Sequence, residues 1–165
     1  TRMTVSRIKV ENVVRAPQNP DPINAWKSSG FIGLEAATEA SGQRESELAE
    51  VARLVGVEAL SPEEQILMET AKSIREDFLQ QNAFDPVDTY CSTEKQYDLM
   101  KSIKIYADLA YGAQKLGVPP AKVITITSKN DLPQIKFTKD YKADIAKINK
   151  AMETEVAKLK EAYQK

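Results

Sequence analysis

A mainly α-helical protein, a bundle of about four main helices behind an irregular N-terminal extension, is what this sequence predicts. Three observations carry that expectation. Apolar residues recur at helical spacing through most of the chain after Glu45. Ser61-Pro62-Glu63-Glu64 writes a helix start in full. Residues 16–30, APQNPDPINAWKSSG, crowd three prolines, three Asx residues, two serines and a glycine into one stretch, which is loop chemistry. The division therefore falls near residue 43, with 1–43 as extension or linker and 44–165 as the helical domain.

Within the extension, TVSRIKVENVV (4–14) is rich in β-branched residues, with Ile8 and Val10 alternating against Arg7 and Lys9, and predicts a short strand. FIGLEAATEASG (31–42) has a weak pattern, helical or irregular. The first clear helix is ESELAEVARLVG (45–56), with Leu48, Val51, Ala52 and Val55 on one stripe and Gly56 as its C′ residue. A second helix starts at the Ser61–Glu64 capping box, with Pro62 at its first position. It buries Leu67, Ala71, Ile74 and Phe78, turns Glu69, Lys72 and Glu76 outward, and ends around Ala83 because Asp85 precedes a proline. The third runs from Ser92 or Thr93 to Gly117 on Leu99, Ile103, Tyr106 and Ala110, stopped by Val118-Pro119-Pro120. VITIT (123–127) passes for a short strand and LPQIKFT (132–138) for a loop. The last helix is the longest, striped by Tyr141, Ile145, Ile148, Met152, Val156, Leu159 and Tyr163. Its alternating charges predict a solvated face with i,i+4 pairs.

Composition limits the chemistry. The 165 residues carry a net charge of -1, which offers no electrostatic footprint for nucleic acid. No stretch approaches the roughly 20 apolar residues that span a bilayer, and TRMTVSRIKV lacks a signal-peptide core. With no histidine and a single cysteine, zinc sites and Ser-His-Asp or Cys-His machinery are not available. One cysteine fits a reducing, cytoplasmic compartment. There is no GxxxxGK[ST] phosphate loop. No catalytic residue is assigned. Asp85 and Asp88 suggest a metal pair only weakly; as Asx residues in a turn they bond nearby backbone amides more readily, and no metal site is expected.

The stretch IREDFLQQNAFDPVDTYC (74–91) supports two readings. In one, Gln80, Gln81 and Asn82 occupy a frayed last turn and their amides satisfy its orphan carbonyls, while Phe84 and Tyr90 close the loop as core residues. In the other, two aromatics six apart across a turn, with amides beside them, form a slot for a planar ligand. Composition does not choose.

That text is also specific enough to compare. ELAEVARLVGVEALSPEEQILMETAKSIREDFLQQNAFDPVDTYCSTEKQYDLMKSI, residues 47–103, resembles the C-terminal part of the catalytic A subunit of the archaeal/vacuolar (A/V-type) rotary ATPases, with FLQQNAF as its most specific core. The likeness is looser after about residue 104, and residues 1–43 depart from the family pattern.

The resemblance implies the helical C-terminal domain of a subunit whose P-loop domain and β-barrel lie upstream. The parent machine couples ATP synthesis or hydrolysis to ion transport; the 165 residues alone are expected to be inactive and to need no cofactor. It implies that Phe84 stacks on adenine, with Gln80, Gln81 and Asn82 nearby and Tyr90 as a second wall. It further implies ATP or ADP with Mg2+ in the full-length subunit. The implied partners are central stalk subunits and the non-catalytic B subunit, in a head peripheral to the membrane on its cytoplasmic side. It places Cys91 where some vacuolar members carry a redox-regulated cysteine, although a buried, inert side chain suits the residues better. A freestanding helical interaction module without nucleotide is the alternative.

Overall fold

The computed structural model describes residues 31–164, with residues 31–42 described by their backbone alone. The strand expected at 4–14 lies outside them. Helix α1 runs Phe31–Val55, straight through the boundary drawn at 43. A short 3-10 turn, Val57–Ala59, leads to α2, Pro62–Ser73, which continues as a π-helix over Ile74–Leu79. Helix α3 spans Thr93–Gln114 and the short α4 Pro120–Ile124. A 3-10 helix, Ser128–Phe137, precedes α5, Lys142–Tyr163. Four long helices and no strand make up the described residues, so the mainly α class holds.

The start and stop signals act as the sequence predicts. The Ser61 hydroxyl accepts the Glu64 N–H at 3.3 Å and the Glu64 carboxylate accepts the Ser61 N–H at 3.0 Å, a closed capping box. Gly56 sits at φ +90° after α1, with its N–H on Ala52 O at 2.9 Å. Gly117, at φ +84°, closes α3 in a Schellman motif: its N–H reaches Gln114 O at 2.9 Å and Val118 N–H reaches Ala113 O at 3.2 Å.

Three expectations are corrected. VITIT is not a strand: Val123 and Ile124 end α4, and Val123 and Ile126 are buried core residues, so β-branching here serves packing. LPQIKFT is not a loop but the second half of the 3-10 helix, with Leu132 and Ile135 buried. The α1 stripe is half right. Leu48 is buried with Leu60 and Leu67, and Ala52 packs beside them. Val51 and Val55, 46% and 63% exposed, are not covered, because the described contacts of α1 form one narrow line along α2.

The main core is built on α3, which packs against α2 and α5. Leu99, Ile103, Tyr106 and Ala110, the expected stripe, are all buried, as are Ile145, Ile148, Met152 and Val156 of α5. A fully buried Ile or Leu contributes about 1.5–3 kcal/mol, so this seam supplies most of the cohesion. Tyr163, 43% exposed, lies beyond it. Among the described residues the charges of α5 form no ion pair within the helix. They reach outward instead: Lys142 meets Glu94 of α3 at 2.6 Å.

Glu155 of α5 makes the clearest of these outward contacts. Its carboxylate accepts the Thr127 and Ser128 N–H groups at 2.9 and 3.1 Å and both hydroxyls at 3.3 and 2.7 Å. It thereby caps the start of the 3-10 helix from another element. Burial works to raise this carboxyl, but the four hydrogen bonds outweigh it and hold it below the ordinary value of 4.5. A depressed folded-state value means that the stabilisation is present above the ordinary carboxylate range and lost as pH falls below it. Glu155→Gln is therefore expected to lower the thermal midpoint at about pH 7 and to narrow the gap to wild type by about pH 3.5. Melting curves across that interval measure it.

Candidate functional site

The π-helix at the end of α2 sets up the loop that follows. Phe78 anchors it at 2% exposure, and the Gln80 N–H closes its last wide turn on Arg75 O at 3.1 Å. Gln80 is already extended (φ -71°, ψ 116°). The helix therefore stops at Leu79 rather than around Ala83. Its terminal carbonyls are not satisfied by the side-chain amides of Gln80, Gln81 and Asn82. The buried ammonium of Lys136, from the 3-10 helix, donates instead to Glu76 O and Gln80 O at 3.1 and 3.0 Å.

Residues 80–92 then form a loop pinned by its own side chains. Asp88, wholly buried, accepts the Asn82 N–H on Oδ2 at 2.7 Å. Asp85 Oδ1 accepts the Val87 and Asp88 N–H groups, both at 2.9 Å. These are the local amide bonds the sequence suggested for the two aspartates. Asn82 Oδ1 accepts the Phe84 N–H at 3.0 Å, an Asx turn at the apex. Gln81 Nε2 donates to Asp88 O at 2.6 Å, and the Thr89 hydroxyl donates to Asn82 O at 3.2 Å. Ser92 then caps α3 by accepting the Lys95 N–H at 3.3 Å.

On this braced loop Phe84 is 98% exposed and Tyr90 84% exposed. Neither is a core residue, which overturns the first of the two readings of 80–91. Burial elsewhere explains why: Phe78 and Asp88 fill the space under the loop, and the backbone bonds of Asn82 and Asp85 turn Ala83 and Phe84 away from the bundle. Gln80, Asn82, Phe84 and Tyr90 all lie at the surface and Gln81 is half-buried. Gln81 and Asn82 serve first as braces. Cys91 is half-buried rather than buried, with Sγ 3.9 Å from Ser92 O.

Sequence reasoning missed the buried lysines. Lys95 Nζ donates to Lys136 O and Thr138 O at 2.7 and 2.8 Å and lies 5.5 Å from the centre of the Tyr141 ring. Lys129 pairs with Glu69 and stands 4.6 Å over the Tyr106 ring. Burial pushes the Tyr106 hydroxyl well above its ordinary value, with Glu69 adding to the shift. The available signal was faint: Lys136 sits between Ile135 and Phe137, a charge inside an apolar run. Among the described residues no three His, Cys, Asp or Glu side chains group as metal ligands, and no helix is long and apolar enough to cross a membrane. A cleft of about 320 Å³ between the 3-10 helix and α5 is lined by none of residues 80–90.

The fold and the loop together define a helical domain that presents braced aromatic side chains at one helix end. Comparison with known proteins gives the class a family. The sequence model of the C-terminal domain of V and A type ATP synthase matches residues 26–116, and the chain belongs to this family. It is 59% identical over 139 residues to the A subunit of the A-type ATP synthase of Methanoculleus marisnigri, covering 82% of this chain and 24% of that one. With the corresponding subunit of Methanoregula boonei it shares 57% identity over 120 residues, 73% of this chain and 20% of that one. With that of Methanosarcina acetivorans it shares 45% over 143 residues, 84% and 25%. The chain thus spans about a fifth to a quarter of the length of these relatives. The family match begins at residue 26, so the last part of the stretch set apart as extension belongs with the helices.

The bracing predicts a contrast in stability. Asp88→Ala strips the acceptor from a backbone N–H and is expected to cost about 1–3 kcal/mol. Phe84→Ala, at a solvated position, should stay within about 0.5 kcal/mol of wild type. Urea unfolding of the two variants measures both.

Proposed function

We propose that this chain is the C-terminal helical part of the catalytic A subunit of an A-type ATP synthase, and that its Phe84 loop forms part of the adenine side of the nucleotide site. The observation that carries the proposal is the Phe84 ring, almost wholly solvent-exposed on a loop whose backbone is pinned by Asp85, Asp88 and Asn82. A rigid apolar face held in water loses little conformational freedom when a planar base stacks on it. The flanking residues suit the same role, with the carboxamides of Gln80 and Asn82 at the surface and Tyr90 exposed on the far side of the turn.

The phosphates and Mg2+ belong elsewhere in the subunit. This chain has no GxxxxGK[ST] loop, and its described residues hold no cluster of metal ligands. Phosphoryl transfer is carried by such groups, so the bundle's part is to bind and orient the base and to move with it. Four long helices sharing one core are stiff enough to turn a shift at the nucleotide into a shift at the far end of the bundle. There the bundle meets the central stalk, with the non-catalytic B subunit beside it, in a cytoplasmic head peripheral to the membrane. ATP synthesis or hydrolysis is thereby coupled to ion transport.

In the full-length subunit, Phe84→Ala is expected to weaken ATP binding by about 1–3 kcal/mol. Binding of inorganic tripolyphosphate, which has no base, should be unchanged. Calorimetric titration of both ligands decides the matter, and an equal loss for the two would remove Phe84 from the adenine site. The 165 residues alone are expected to release no phosphate from ATP; sustained turnover by a clean preparation would refute the assignment of the phosphate site to the rest of the subunit.

A further inference from the structure

The Phe84 loop leaves the bundle at Gln80 and rejoins it at Ser92, the cap of α3. Neither end is held by its neighbours in sequence alone. At the entry, Lys136 Nζ grips Gln80 O at 3.0 Å and Glu76 O at 3.1 Å. At the exit, Lys95 stands in the first turn of α3, its N–H on the Ser92 hydroxyl. Lys95 Nζ then holds the main-chain oxygen of Lys136 itself at 2.7 Å, and Thr138 O at 2.8 Å. The two ammonium groups, on side chains 4% and 6% exposed, form a hydrogen-bonded bridge across the mouth of the loop, from Gln80 through Lys136 and Lys95 to Ser92.

From this geometry we infer that Lys136, placed by Lys95, is the positioning residue of the Phe84 loop: the bridge sets the span between the loop's two ends and so where the aromatic ring stands. Lys136 acts through the backbone at Gln80 rather than on the exposed ring itself. Charge-assisted donors to main-chain carbonyls are strong, and a buried ammonium deprived of acceptors is costly, so the bridge resists partial opening. Because Lys136 belongs to the 3-10 helix that packs on α5, a displacement of that layer reaches the loop without passing through α2. The nucleotide half of this inference rests on the adenine site proposed above; the loop half does not.

The test uses the full-length subunit with three variants. Lys136→Met keeps the stem and removes the donor. Lys95→Met removes the second link and serves where the first variant fails to fold. Lys129→Met, whose ammonium lies on Glu69 and Tyr106, controls for the loss of any buried lysine. Amide hydrogen exchange at Asn82, Phe84, Val87 and Asp88 is expected to rise about tenfold or more in Lys136→Met and to rise also in Lys95→Met. It should stay at the wild-type rate in Lys129→Met. ATP affinity should fall severalfold in Lys136→Met with tripolyphosphate affinity unchanged. Wild-type exchange at these amides in both bridge variants would overturn the inference whatever the nucleotide data. Faster exchange with ATP affinity unaltered, while Phe84→Ala still weakens it, would sink the nucleotide half and leave the adenine site standing. If Phe84→Ala also has no effect, the adenine site falls, and the exchange rates alone judge the bridge.

Discussion

An ammonium group taken out of water needs oxygen atoms around it, and that requirement organises one side of this bundle. Lys95, Lys129 and Lys136 are all nearly buried. Two of them are satisfied by main-chain carbonyls of segments far away in sequence, the third by Glu69 and the face of Tyr106. Main-chain oxygens of Glu76, Gln80, Lys136 and Thr138 converge on the first two only in one arrangement of α2, α3 and the 3-10 helix. The apolar seam of α3 and α5 supplies cohesion without choosing finely among packings; the lysines choose. Hydrophobic contacts tolerate sliding by fractions of an ångström, whereas a shared hydrogen-bond network does not.

Long helices were legible in the sequence because periodicity, capping and C′ glycines agree with one another there. Ser61–Glu64, Gly56 and Gly117 each act through bonds within a few residues, so no knowledge of the rest of the chain is needed to read them. What was not legible depends on distant partners. Ile126 and Ile135 are buried by helices far along the chain, and so a β-branched run that suggested a strand packs as the end of a short helix and the turn after it. The exposed half of the α1 stripe fails for the same reason: periodicity reports which face is apolar, not how much of it a neighbour covers. At the site, the two aspartates and their turn were readable as local chemistry. The choice between a buried and a presented Phe84 was not, because Phe78 already fills the space beneath.

Presentation and bracing are linked by the same groups. A loop that displays an aromatic side chain to water has a standing tendency to collapse and hide it. Here the Asn82, Asp85 and Asp88 side chains bond the main chain on both sides of the apex, and Asp88 is itself enclosed. The carboxamides beside Phe84 thus hold the shape of the turn, as Gln81 does through Asp88 O. Family membership explains why such a feature has a place: the relatives are four to five times longer than the segment they share with this chain, and a surface left open here has much more polypeptide to face.

The wide turn over Ile74–Leu79 has an arithmetic consequence. A π-turn houses one residue more than an α-turn, and each residue of a helix advances the chain by about 100° around the axis. Removing a single residue between Ile74 and Leu79 would let the segment close as ordinary α-helix, with every side chain before it undisturbed. All that follows would arrive rotated by roughly a quarter turn and drawn back by about 1.5 Å. Gln80 would then miss the ammonium waiting for it, and the aromatic ring would point at a different neighbour. The compass bearing of the loop is thus a matter of counting: one supernumerary residue, stored in a helix, aims it.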